Sequence, residues 1–350
     1  MDLPSIEKAD IRSKRVLLRG DIDVPLARKR GTENEGLSIG DDTRLQAIWP
    51  GIDYLLNRGC HVTLCGHIGR PYGEVVPGLS TKTIANWLEN RGGNTVGVAK
   101  PEKVNNFTGF RISQQLVVLE NLRFDPREEA NIESFVTELA ALGQIYVNDA
   151  FASCERSHAS ITGVPKILPH YAGMRLVKEV ENLGGVTKNP KRPLVVILGG
   201  AKMETKIPLI NRMGDVADRI IIAGKLLEEC KPDMVFPGNK QIFLELTTEK
   251  KDTTLESIDA VRGVLETAGT IVWNGPLGEV ENYTYQVGTR RLAEIIANLG
   301  AFKVVGGGDT LGFLNKLGLT GRFDWASIGG GAMLKFLAGE ELPGIRALLS

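Results

Sequence analysis

The sequence predicts an α/β protein built as two Rossmann-like, three-layer α/β/α domains with parallel sheets, joined by a connecting helix. Three observations predict it. Short apolar, β-branched runs alternate with longer amphipathic stretches along the chain, which is the rhythm of βαβ units. Its 350 residues exceed one comfortable core, so two domains are the default. The 41 glycines gather where strand-like runs end, the habit of nucleotide-binding α/β proteins.

In the first half, residues 15–19, 61–65, 116–119 and 145–147 read as strands, with helical patterns over 42–58, 80–89 and 131–142. In the second half, 194–198, 219–223, 270–273 and 303–305 read as strands, and 205–216, 255–266, 285–297 and 310–317 as helices. Between the halves a helical stretch, 172–183, leads into Gly184-Gly185 and a basic, Pro-bearing stretch, 188–193, whose composition suits a connector. Residues 225–252 carry Pro, Gly and charge without clean periodicity and read as mostly irregular.

Charge bounds the partners. The chain has 42 basic and 42 acidic side chains, so no global basic field recruits nucleic acid or an anionic membrane, and any anion site is local. Residues 1–10 lack the apolar core of a signal peptide and no apolar run is long enough to span a bilayer, which leads to the expectation of a cytoplasmic protein. Cys60, Cys65, Cys154 and Cys230 form no Cys-x-x-Cys pair and read as reduced thiols, and the four scattered histidines argue against zinc.

Two constellations carry chemistry. In the first half, cations fall where strands run out: Arg19, Arg44, His67, Arg70, Arg123 and Arg156. The carboxyl ends of parallel strands share one rim, and arginine's fork suits carboxylate and phosphate, so a small polyanion is the expected ligand. Asp21, Asp23, Glu120 and Asp149 either orient these cations or serve as structural caps. In the second half, Lys202 and Lys206 lie four residues apart after Gly199-Gly200. If a helix opens at about Ala201, both ammonium groups share one face of its first turn, where a phosphate balances them unless Glu204 and solvent do. Glycine turns at Asn274-Gly275-Pro276, Gly306-Gly307-Gly308-Asp309-Thr310 and Gly329-Gly330-Gly331 let backbone approach phosphate closely. Asp309 reads equally as a carboxylate holding Mg²⁺ on a nucleotide and as the N-cap of the helix at Thr310.

The order and wording of these segments resemble the phosphoglycerate kinase family, from 15–25, 42–44, 67–71, 119–124, 146–151 and 158–159 through 198–207, 271–281, 305–310 and 329–332 to the ending 339–344. The resemblance implies a two-lobed hinge enzyme with 3-phosphoglycerate on residues 1–171, a connecting helix and hinge over 172–192, Mg²⁺-nucleotide on 193–335, and a terminal segment, 336–350, returning to the first lobe. It implies that Arg19, Asp21, Asp23, Arg44, His67, Arg70, Arg123 and Arg156 contact or frame the glycerate. Lys202, Lys206, Gly224, Asn274, Glu281, Gly307, Gly308, Asp309 and Thr310 then serve ATP or ADP, with Glu281 at the ribose and Asp309 at Mg²⁺. Arg44, Lys202 and Lys206 are the implied catalytic groups, and the Gly329, Gly330, Gly331 turn meets the phosphoryl group in transit. A monomer acting on small molecules, without nucleic acid or membrane, completes the expectation.

The chain departs from the family pattern at five places. Asp21-Ile22-Asp23 replaces Asp-Phe-Asn, Glu155 stands where a histidine is usual, and Ala223-Gly224-Lys225 replaces a glycine triplet. The stretch from Gly224 to Thr270 is short and lacks an Asp-x-Gly-Pro segment, and Ile328 stands in place of threonine. Two other readings stay open at this point: a non-catalytic binding or regulatory protein of the same build, and a kinase for another small phosphorylated carboxylic acid.

Overall fold

The β-branched runs pair as the alternation predicts, because each is apolar enough to be buried on both faces. The structure, a computed structural model, describes residues 2–28, 37–91, 100–201, 203–229 and 240–350. Its strands in the first half are β1 Arg15–Gly20, β2 Leu26–Arg28, β3 Leu37–Ile39, β4 His61–Cys65, β5 Lys100–Val104, β6 Phe107–Arg111, β7 Leu116–Leu119, β8 Ile145–Asp149 and β9 His170–Ala172. In the second half they are β10 Leu194–Leu198, β11 Arg219–Ile222, β12 Gln241–Phe243, β13 Thr270–Asn274, β14 Phe302–Gly306 and β15 Trp325–Ser327. By internal packing the chain divides into two units, Met1–Glu179 with Leu342–Ser350, and Val180–Glu341.

In the first unit the sheet runs β5-β6-β7-β4-β1-β8-β9. Five strands, β7 to β9 in that order, are parallel, but β5 and β6 form an antiparallel hairpin on β7. The expectation of a purely parallel sheet is corrected there: β5, with Pro101 inside it, sits at the edge, where a missing N–H does not break a ladder. The helix Thr43–Leu56 buries Leu45, Ile48, Ile52 and Leu55 in the core beside β1 and β4. Each such side chain stabilises by ~1.5–3 kcal/mol. Leu342, Ile345 and Leu348 are buried in this unit too, and the Gly344 N–H donates to Cys154 O at 2.8 Å.

In the second unit the sheet is β12-β11-β10-β13-β14-β15, parallel throughout. Strands β10 and β13 are buried along their whole length, so both faces are covered. Counted in chain order the arrangement is 3-2-1-4-5-6, and it reverses between β10 and β13. The corresponding reversal in the first unit lies between β1 and β8. In sheets of this kind ligands bind outside the carboxyl ends of the strands at that reversal.

Several boundaries move for identifiable reasons. The helix expected to open at about Ala201 opens at Ile207 instead, after a single 3₁₀ turn at Met203–Thr205. Pro208 explains the shift, because proline is tolerated in a first turn and not in a helix interior. Residues 255–266 form two helices, Leu255–Ala260 and Arg262–Glu266, separated at Val261. Within the stretch read as irregular, a short helix, Leu226–Glu229, and β12 are present. The connecting helix runs Met174–Lys188.

Candidate functional site

At the reversal in the first unit, the end of β1 delivers Arg19 into the interior. Its guanidinium is 1% exposed, and it donates to Ser160 Oγ (3.0 Å), Gly20 O (2.5 Å), His67 Nδ1 (2.9 Å) and Ser153 Oγ (3.3 Å). Arg19 therefore frames the site and presents no open fork. Asp21, buried two residues on, accepts from the Ala152 N–H at 2.9 Å and from Ser153 Oγ at 3.3 Å. Burial pushes its carboxyl up, against the pull of Arg44 and Arg19.

Asp23 lies where the cations meet. Its Oδ1 accepts the Gly69 N–H at 2.8 Å, and its Oδ2 is 3.6 Å from Arg44 Nη1 and 3.7 Å from His67 Nε2. Arg44, at the start of the helix Thr43–Leu56, also donates to Asp23 O at 2.9 Å. Arg123 donates from Nη1 to Gly69 O at 2.9 Å. Its Nε is 2.9 Å from Glu129 Oε1, an ion pair whose geometry falls short of a directed hydrogen bond. Arg156 pairs with Glu155 at 3.1 Å, while Arg70 is exposed and has no ion-pair or hydrogen-bond partner among the described residues.

These groups feel one another. Burial holds His67 well below its ordinary value, and Arg19, Arg123, Arg44 and His158 push the same way. Burial and the charges of Arg123, Arg19 and Arg156 hold His158 down at about 4. Such mutual repulsion marks a convergent basic cluster, which an anion relieves.

Two acids weighed as possible site groups do structural work. Glu120 accepts the N–H groups of Thr81 (2.8 Å) and Asn121 (2.8 Å) and the hydroxyl of Ser80 (2.7 Å), at the entry to the helix Lys82–Arg91. Asp149 accepts the Leu176 N–H at 2.9 Å in the first turn of the helix Met174–Lys188. Sequence spacing did not single out Ser153, Ser160 or Glu128, because serine and glutamate are common and no local pattern joins them. They meet Arg19 only through tertiary folding.

At the reversal in the second unit, backbone meets backbone. A Cβ on Gly199 would lie 2.3 Å from Pro276 O, and one on Gly275, whose φ is 91°, would lie 2.2 Å from Gly199 O. Only glycine fits at either position. The buried Trp273 braces this turn by donating from Nε1 to Gly275 O at 2.8 Å. Lys206 is 6% exposed, stands at the N-cap of the helix Ile207–Val216 and donates from Nζ to Ala201 O at 3.0 Å. Lys202 lies outside the described residues.

Gly307, with φ 102°, is the N-cap of the helix Gly308–Lys316 and, as a glycine, offers it no side-chain cap. Asp309 is therefore inside the first turn, exposed, and not the N-cap. Asn274 Nδ2 and Thr310 Oγ1 are both buried without a hydrogen-bond partner, and they flank the place a Gly307 Cβ would fill, at 3.5 and 3.6 Å. The helix Gly330–Leu337, N-capped by Gly329 without a side-chain bond, starts alongside: a Cβ on Gly330 would lie 3.2 Å from Gly307 Cα. Two helix N-termini capped by glycine and two orphaned polar atoms thus meet around Gly307, and N–H groups at helix starts favour an anion.

Beyond this cluster, Thr253 Oγ1 accepts the Gly224 N–H at 3.2 Å and donates to Leu277 O at 3.1 Å, while Asp252 accepts the Gly288 N–H at 2.9 Å. Thr253 and Asp252 brace the segment where the sequence lacks its expected motif, and the sequence reading missed both. Glu281 is exposed on the loop after Gly278, with no ion-pair or hydrogen-bond partner among the described residues. The Ile328 side chain is buried.

Among the described residues no group of three His, Cys, Asp or Glu side chains can hold a metal, and no helix is long and apolar enough to cross a membrane. Cys60, Cys65 and Cys154 are free thiols, and Cys230 lies outside the described residues.

The family model described as phosphoglycerate kinase matches residues 6–231 and 238–340. The phosphoglycerate kinase of Moorella thermoacetica is 35% identical over 399 aligned positions, covering 98% of each chain. That of Solibacter usitatus is 35% identical over 393, covering 99% of this chain and all of its own. With 350 residues here, both alignments carry gaps. Among solved structures, phosphoglycerate kinase from Coxiella burnetii superposes with a TM-score of 0.77 at 28% identity, covering 99% of both chains. That from Pyrococcus horikoshii superposes with a TM-score of 0.79 at 26% identity, covering 99% of this chain and 98% of the other. A family match that takes in both strand-order reversals and the residues around them leaves one assignment: the chain belongs to the phosphoglycerate kinase family.

Proposed function

We propose that the chain catalyses the phosphoryl transfer of glycolysis and gluconeogenesis in which 1,3-bisphosphoglycerate and ADP interconvert with 3-phosphoglycerate and ATP. The observation that carries this reading is the cluster around Gly307, where Asn274 Nδ2 and Thr310 Oγ1 are buried without a hydrogen-bond partner beside two glycine-capped helix N-termini. A nucleotide phosphate supplies what those groups lack. In this reading the second unit holds the nucleotide through Lys202, Lys206, Gly224, Asn274, Glu281, Gly307, Gly308, Asp309 and Thr310. The first unit holds the phosphoglycerate through Arg44, His67, Arg70, Arg123, Arg156, Asp21 and Asp23, framed by Arg19.

A carboxylate acceptor is already ionised at neutral pH, so it needs no general base, and catalysis reduces to positioning and charge compensation. Arg44 steadies the transferring group from the acceptor side, with Lys206 and Lys202 on the nucleotide side and the Gly329, Gly330, Gly331 turn offering backbone N–H groups. Direct transfer needs the reacting oxygen and phosphorus within contact, and the reading takes the connecting helix as the hinge that serves this. Asp309, one exposed carboxylate with no partner among the described residues, fits an ion that brings its remaining ligands with it. Mg²⁺ carried on the nucleotide is such an ion, and when bound it neutralises phosphate charge. The reading takes the chain to act as a cytoplasmic monomer.

A coupled assay with 3-phosphoglycerate, ATP and Mg²⁺ tests the reading, and absence of turnover from correctly folded protein sinks it. A panel of other phosphorylated acids belongs beside it, because Asp23 and Glu155 add negative charge to the acceptor cluster.

A further inference from the structure

Arg19 is a buried cation that touches no carboxylate among the described residues. Of the groups that accept from its guanidinium, two are serine hydroxyls, one is the backbone carbonyl of Gly20 and one is His67 Nδ1. Its counter-charges stand one residue further out. Ser160 Oγ donates a hydrogen bond to Glu128 Oε1 at 2.5 Å while accepting one from Arg19 Nε–H, and the Ser160 N–H donates to Glu128 Oε2 at 3.0 Å. On the other side Ser153 Oγ donates to Asp21 Oδ1 at 3.3 Å while taking an Arg19 Nη2–H. Each hydroxyl has one proton, and the carboxylate behind it fixes where that proton goes.

The polarity reaches His67. Arginine has no acceptor and does not lose its proton, so the 2.9 Å contact makes His67 Nδ1 the acceptor. The ring is kept neutral by burial and its cationic neighbours, so its one proton belongs on Nε2, on the side of Asp23 Oδ2 at 3.7 Å. We infer that Glu128 and Ser160, acting through Arg19, are positioning residues that fix His67 as an Nε2–H donor to the bound phosphoglycerate. This rests on the acceptor reading above. In a Glu128→Gln variant the new amide N–H groups compete with Arg19 for Ser160 Oγ, the guanidinium keeps only Asp21 of its two counter-charges, and Arg19 is freed to leave His67 Nδ1.

The test is a long-range ¹H–¹⁵N correlation spectrum, in which each histidine nitrogen reports whether it carries a proton, combined with steady-state kinetics. In the unmodified chain His67 is expected to show a bare Nδ1 and a protonated Nε2. In Glu128→Gln and, separately, Ser160→Ala, a second His67 tautomer is expected, together with a rise of about tenfold in KM for 3-phosphoglycerate and kcat within about twofold. A proton on Nδ1 in the unmodified chain overturns the inference. So does an unchanged His67 pattern in either folded variant, even if KM rises, because the residue then acts through packing alone. If the chain turns over no 3-phosphoglycerate but both variants redistribute the His67 tautomers, the network stands and the acceptor reading falls.

Discussion

Thr310 Oγ1 is buried without a partner, and an unsatisfied buried hydroxyl costs roughly 1–3 kcal/mol. Replacing it by the isosteric valine removes that penalty from the free protein and also removes one contact from the proposed phosphate site. Thr310→Val is expected to leave the melting temperature of the free chain unchanged or higher while weakening ATP about tenfold, which thermal melts with and without nucleotide will check. A parallel loss of free-protein stability would mean that the hydroxyl has a structural partner. Arg44 makes the opposite case, since its guanidinium is held by Asp23 O and stands near Asp23 Oδ2. Arg44→Ala is expected to lower kcat by about 10²–10³-fold, far more than it raises either KM. Equal losses in binding and turnover would contradict a role confined to the transition state.

The helix Met174–Lys188 begins on Asp149, a buried carboxylate that accepts the Leu176 N–H. Burial holds this carboxyl up at about 7, although the helix N–H groups and Arg175 favour the charged form. Because the folded value exceeds the unfolded one, the folded state binds more protons between about pH 4 and 7. This residue's contribution to stability therefore falls as pH rises through that window, by a few kcal/mol at most. Asp149→Asn is expected to melt with a flatter or more upward pH dependence than the parent from about pH 4 to 7, whatever its absolute stability. Identical slopes would show that Asp149 is ionised across the range. Elements also mark how far sequence could be read. The central strands were legible because their β-branched runs are apolar on both faces, as in Leu194–Leu198. The strands β9, β12 and β15 were not, because three residues carry no period, and their extended state comes from pairing with a neighbour. Of the candidate site, the cations at strand ends and the glycine turns were visible. The Glu128, Ser160 and Arg19 chain was not, since its members are far apart in sequence and joined only by packing.

Across the whole molecule the formal charges cancel, 42 against 42, while the first unit concentrates Arg19, Arg44, His67, Arg123 and Arg156 at one strand-order reversal. Long-range steering is therefore weak and the attraction for an anionic acceptor is local, over about one Debye length. KM for 3-phosphoglycerate is expected to rise severalfold from low to molar salt, with no retention on heparin at neutral pH. Retention, or a salt-independent KM, would contradict a local field. The path of the chain has a consequence for its synthesis. Leu342, Ile345 and Leu348 complete the core of the unit formed by residues up to Glu179, yet they are translated after the whole of the unit Val180–Glu341. On the ribosome, the second unit therefore has its full sequence before the first unit does. Order of completion thus runs against order of translation, and the first unit gains these buried contacts only after the second has been made.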